Sequence, residues 1–207
     1  MQTIWSALYA RKRHAPQQGL LRERWNTPDD DFIDVDWQHA SHPARPLMVM
    51  FHGLEGSSLS HYAQACADWA AEHDVQWVMP HFRGCGGELN RKPRAYHSGD
   101  HAEIDWILRR LRGQHRSAGG KVLVALGVSL GGNALMRWAG EHGESARQQA
   151  DAVAAICSPL DLARSGHAIG QGFNRQVYTR MFLRSMKPKA LAKLAQHPGL
   201  FERKRLQ

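Results

Sequence analysis

The stretch from Lys121 to Asn133, KVLVALGVSLGGN, constrains the chain more than any other. An apolar run, Val122 to Leu126, passes directly into a glycine-rich turn about one hydroxyl, Gly127-Val128-Ser129-Leu130-Gly131-Gly132, and a helical pattern follows. A Gly-x-Ser-x-Gly turn between a strand and a helix is strained and crowded, and it lifts the serine Oγ clear of the sheet. Ser129 is therefore the candidate nucleophile. A serine alcohol reacts only when a base takes its proton and donors hold the oxyanion that forms. His52-Gly53-Leu54-Glu55-Gly56 follows a second apolar run and supplies the other half of such a hole, with Leu54 N–H and Leu130 N–H as the candidate donors. Losing one donor of this kind typically costs about 2.7 to 4 kcal/mol of barrier. His52 and Gly53 are the candidate substrate-binding residues of the cleft loop, His52 shaping that loop rather than serving as base.

The elements around the turn predict the fold. Leu21 to Trp25 and Phe32 to Trp37 alternate apolar and polar side chains about a turn-rich Asn26 to Asp30, which predicts an antiparallel hairpin. Leu47 to Phe51, Val75 to Met79, Val122 to Leu126 and Val153 to Ile156 are short apolar runs, as strands covered on both faces are. Helices are predicted between them. The first, capped by Ser58 or Ser60, carries Tyr62, Ala63, Cys66, Trp69 and Ala70. The second turns Ile104, Ile107, Leu108 and Leu111 inward and closes at Gly113. The third, after Ser129, buries Ala134, Leu135, Trp138 and Ala139 and stops at Gly140 and Gly143. The fold class is α/β, a doubly wound, mostly parallel sheet with right-handed crossovers and its ligand face at the carboxyl ends of the strands. From Ala163 the strand signal stops. Phe173, Val177, Tyr178, Met181 and Leu183 read as helical, as do Ala190 to Leu194 after Pro188, while Ile4, Trp5, Leu8 and Tyr9 predict a short amphipathic arm. Residues 1–162 are thus expected as the core and 163–207 as a helical cap segment.

Composition removes several functions. The 207 residues are 43% apolar and 22% charged, which suits one globular domain. No apolar run is long enough to span a membrane and no export signal opens the chain, so a cytoplasmic protein without an integral membrane span is expected. Cys66, Cys85 and Cys157 lack metal or redox spacing and are expected as reduced thiols, two of them in the core. The net charge of +8 has a local source: from Phe173 to Gln207 nine Lys or Arg stand against Glu202 alone. Without a nucleic-acid motif, that run is expected to be a solvated helical face, with no nucleic-acid partner. His97 and His101 stand four apart, but Ser98-Gly99 between them argues against a helix presenting both to a metal, and neither metal nor other cofactor is expected.

Five stretches together resemble the YheT-like branch of the α/β-hydrolase superfamily: HGLEGSS (His52 to Ser58), HFRGCGGELNR (His81 to Arg91), YHSGD (Tyr96 to Asp100), GVSLGGN (Gly127 to Asn133) and QHPG (Gln196 to Gly199). The resemblance implies an esterase acting on small or acyl carboxylic esters through an acyl-enzyme on Ser129, with Ala163 to Gln207 as the cap over the cleft. In this fold the acid and the histidine follow the nucleophile along the chain. After Ser129 come only His142, His167 and His197. His142 falls at the far end of the post-elbow helix, about 20 Å down its axis, and the other two sit in the helical segment. Asp161 suits a capping role better than that of an orienting acid. The resemblance therefore implies a member truncated at its C-terminus, its last core strands missing and its catalysis impaired. The alternative is a non-catalytic remnant or ligand-binding module that self-associates through the exposed sheet edge at Val153 to Ile156.

Overall fold

The computed structural model describes residues 19–206; the amphipathic arm expected at Ile4 to Tyr9 lies outside them. Strands β1 (Leu21–Asn26) and β2 (Phe32–Gln38) form the expected antiparallel hairpin. Then β3 (Leu47–Phe51), α1 (His61–Glu72), β4 (Gln76–Pro80), α2 (His101–Ser117), β5 (Leu123–Val128), α3 (Leu130–His142) and β6 (Ala152–Ile156) alternate. The six strands lie in the order β1-β2-β4-β3-β5-β6, and β4, β3, β5 and β6 run parallel.

Side-chain alternation explains why helices cover both faces. In β3, Leu47, Val49 and Phe51 point to the face that receives Ile104, Ile107, Leu108 and Leu111 of α2 and Leu135 and Trp138 of α3. Met50 points the other way and, with Trp77 and Met79 of β4, packs on Ala63, Ala67 and Ala70 of α1. The alanines let α1 approach the sheet closely, while the bulk sits on the α2/α3 side. Each fully buried large side chain contributes about 1.5 to 3 kcal/mol, so the two layers dominate stability.

Several boundaries differ from the sequence reading, each for a physical reason. Helix α2 runs through Gly113, whose missing Cβ faces open space, because Arg112 before it and His115 beyond it are both buried and partnered. Arg112 donates to Gln149 O and Lys121 O and pairs with Asp151, and His115 Nε2 lies 3.0 Å from Val122 O. Helix α3 likewise passes Gly140 and ends at Gly143. Ser60 occupies the N-cap of α1 without a side-chain cap bond; its Oγ accepts from Ser57 N–H instead, and Ser58 Oγ donates to Asp36. Of the cysteines only Cys85 is buried, Cys66 being half-buried and Cys157 exposed.

After β6 come α4 (Leu162–Ile169), then an unbroken helical stretch made of Gly172–Asn174, a π-helical Arg175–Thr179 and α5 (Arg180–Gln196). Pro188 sits inside α5 rather than ahead of a separate helix.

Candidate active site

Ser129 joins β5 to α3 with φ 52° and ψ −116°, a left-handed conformation that L-residues avoid. Its N–H donates to Ile156 O at 2.8 Å and its carbonyl accepts Asn133 N–H at 2.9 Å, so the strained turn is held from β6 and from its own helix. The flanking glycines are steric requirements. A Cβ on Gly127 would stand 2.5 Å from Gly132 Cα, and one on Gly131 would stand 2.5 Å from the carbonyl oxygens of Phe51 and His52. The elbow can thus press against the end of β3, where the second loop begins.

That loop is a turn closed by Gly56 N–H on Gly53 O at 2.9 Å, with Leu54 and Glu55 at its centre. Gly53 N–H donates to Tyr62 Oη at 3.0 Å, tying the loop to α1. Leu54, Ser129 and Leu130, three of the residues singled out in the sequence, line one cleft of about 650 Å³. Among the described residues neither Leu54 N–H nor Leu130 N–H has a protein acceptor. The cleft is walled further by Ser98, Cys157, Ser158 and Phe182, which sequence reasoning missed. They come from loops and a helix far apart in the chain, and no local pattern marks them.

His52 and Gly53, expected in the sequence as substrate-binding residues, are not among the residues that line the cleft. His52 is wholly buried, its Nδ1 at 2.8 Å from Gly53 O and its Nε2 accepting Phe82 N–H at 2.9 Å. Burial pulls its pKa down to about 3, so it stays neutral and ties the ends of β3 and β4 together. Gly53 stands behind Ser129, where a Cβ would come 3.2 Å from the serine Cβ.

No histidine or carboxylate lines the cleft among the described residues. His142 is 2.9 Å from Asp105, His197 Nε2 is 2.8 Å from Arg91 O, and exposed His167 lies 2.8 Å from Gln171 Nε2. Asp161 caps α4 by accepting Arg164 N–H at 2.9 Å. His97 lies 3.6 Å from Asp100. A grouping of serine, aspartate and histidine is buried elsewhere: Ser58 Oγ and His81 Nε2 meet Asp36 Oδ2 at 2.6 and 2.7 Å, and Arg22 clamps the same carboxylate. Burial alone would raise the Asp36 pKa, but bonds from Arg22, His81 and Ser58 outweigh it and hold the carboxyl far below its usual range. Buried away from the cleft, this cluster fastens the loop before α1 to β2.

Loop and rim are braced by charge. Arg83, after β4, is buried among Asp29, Asp31 and Glu103. Burial raises the Glu103 pKa, and Arg83 opposes that rise. From α5, Lys193 Nζ donates to the carbonyls of Asn90 and Lys92, the latter at 2.9 Å, and Lys189 Nζ meets Glu55 at 2.8 Å.

Residues 46–198 match the family described as alpha/beta hydrolase fold. The chain is 38% identical over 179 residues to YheT of Escherichia coli (strain K12), a candidate esterase by name, covering 86% of this chain and 51% of that protein. It is 26% identical over 154 residues to the monoacylglycerol lipase of Saccharomyces cerevisiae, covering 73% of this chain and 32% of the lipase. The chain thus spans about half and about a third of the lengths of these relatives. In three dimensions it is similar to a serine hydrolase without lid from Xanthomonas campestris, with a TM-score of 0.54, 16% identity, and coverage of 72% of this chain and 66% of that one. No helix among the described residues is long and apolar enough to cross a membrane. With its doubly wound sheet, its strained strand-to-helix turn at Ser129 and this match across most of its length, the chain belongs to the α/β-hydrolase fold family and within it is similar to YheT.

Proposed function

We propose that this chain carries the nucleophile half of an acyl-transfer site. Ser129 Oγ attacks the carbonyl of a small or acyl carboxylic ester and is acylated as the bond to the alcohol oxygen breaks, the serine proton passing by way of solvent water to the departing alkoxide. Leu54 N–H and Leu130 N–H receive the oxyanion, and the alcohol leaves. The observation that carries this reading is the left-handed Ser129 backbone at the strand–helix junction, opening on a cleft with two unengaged backbone donors. The ester class is motivated by the relatives named esterase and lipase. Turnover is impaired, because no histidine or carboxylate among the described residues stands at the cleft to activate the serine or a water. An oxyanion hole and binding alone are worth about 10³ to 10⁴ over water. In the same reading residues 1–162 are the core and 163–207 the cap, and copies self-associate through β6. A cytoplasmic setting is motivated by three unpaired thiols.

Incubation with p-nitrophenyl butyrate, followed by intact-mass spectrometry, is the test. The expected result is one butyryl group per chain, slow steady-state release of p-nitrophenol, and no adduct in Ser129→Ala. A wild-type chain that never acylates refutes the reading. Fast turnover lost in Ser129→Ala would refute the impairment alone. The competing role, a ligand-binding module, draws on the same missing base. It predicts that Ser129→Ala binds a non-hydrolysable ether analogue as tightly as wild type, with no acylation in either.

A further inference from the structure

Glu55 occupies an expensive position. It follows Leu54 at the centre of the turn closed by Gly56 N–H on Gly53 O, and its φ is +56°, where glycine is the undemanding choice. A glutamate there is held by three bonds. Its N–H donates to Tyr96 Oη at 3.0 Å, the Tyr96 hydroxyl donates to Oε1 at 2.8 Å, and Lys189 Nζ pairs with Oε2 at 2.8 Å. The Glu55 side chain is only 10% exposed. Tyr96 is itself fixed, its ring stacked on Phe82 with centroids 5.6 Å apart. The two partners come from the long rim loop and from α5, segments more than forty and more than a hundred residues away from Glu55, as the numbering shows.

We propose that Glu55 is a positioning residue for the oxyanion loop and that Lys189 sets it, so that seating α5 fixes the turn presenting Leu54 N–H. This rests on the reading of Ser129 as an acylated nucleophile, with Leu54 as one of its oxyanion donors. The clamp makes the donor conditional on the C-terminal helix. With α5 lifted, Glu55 loses its cation and the left-handed turn loses what holds it.

The test compares the full chain with Lys189→Met, Lys189→Arg, Glu55→Gln and Glu55→Gly by two readouts: amide hydrogen exchange of the segment 52–58, and the rate of Ser129 acylation by p-nitrophenyl butyrate. Lys189→Met and Glu55→Gln are expected to speed exchange about tenfold and to slow acylation about 10- to 100-fold, with Lys189→Arg restoring both. Glu55→Gly separates the clamp from mere backbone relief. Glycine accepts the positive φ, so a purely structural role predicts a chain at least as well ordered and as fast as wild type. The proposal predicts that Glu55→Gly exchanges and acylates like Glu55→Gln. Exchange and acylation indifferent to Lys189, or a Glu55→Gly chain that behaves as wild type, would overturn it. Exchange that responds in a chain that never acylates leaves the clamp standing and removes the nucleophile reading instead.

Discussion

At the scale of single residues the chain relies on groups that stay neutral or charged against expectation. His52 keeps a folded pKa of about 3 against an ordinary 6.5. Below pH 6.5 the unfolded chain takes up a proton that the folded one refuses. The contribution is therefore complete above that value and is lost as pH falls toward 3, by at most about 1.4 kcal/mol per pH unit. His115, also lowered by burial, acts in the same direction. Urea unfolding between about pH 7.5 and 5 should show stability declining with acid, and His52→Gln should lower stability overall while flattening that slope; an unchanged slope in the variant would remove His52 from the account. The tight turn at Ser129 was legible in the sequence because its constraints are local, glycines within three residues on either side. Glu55 was not, since nothing near it in sequence announces a tyrosine and a lysine brought from the rim loop and α5.

Among the elements, α5 departs furthest from its pattern. Pro188 removes one N–H from its ladder, and much of its apolar surface, Met181, Leu183, Met186 and Leu191, remains exposed. Its seat depends on polar bonds: Lys193, buried, caps the carbonyls of Asn90 and Lys92. Lys193→Met should cost about 1 to 3 kcal/mol by orphaning those carbonyls and should open residues 88–99 to limited proteolysis before the sheet unfolds. Simultaneous loss of both regions would contradict this. Strands β2 to β5 and the α1 to α3 faces were readable from their apolar patterns, because they bury them, whereas β6, expected to be covered on both faces, lies exposed along its whole length. Gly113 and Pro188 misled for one reason. Both usually end helices, yet here the residues beyond them have partners that outweigh the local cost.

In the whole molecule the two edges of the sheet differ. β1 presents Arg22, Glu23 and Arg24, with Arg22 and Arg24 tied to Asp36 and Asp34 of β2, and charges of this kind deter further pairing. β6 reads Ala-Val-Ala-Ala-Ile, exposed at every position and uncharged. Sedimentation or light scattering should find self-association that rises with concentration, and Val153→Lys, placing a charge on that edge, should return the chain to monomer. A wild-type monomer at high concentration would exclude it. The sequence foretold the doubly wound sheet and the strand at this edge. It did not foretell how much of the later helices stays exposed, since their apolar residues lack the regular spacing that assigns a face. The strand order has a further consequence, for synthesis. β4 slots in between β2 and β3, and then β5 and β6 are laid down outward one after the other, so from β5 on the newest strand on a ribosome is the unguarded one. The charged edge is finished first, and the demand for chaperoning travels with the growing side of the sheet.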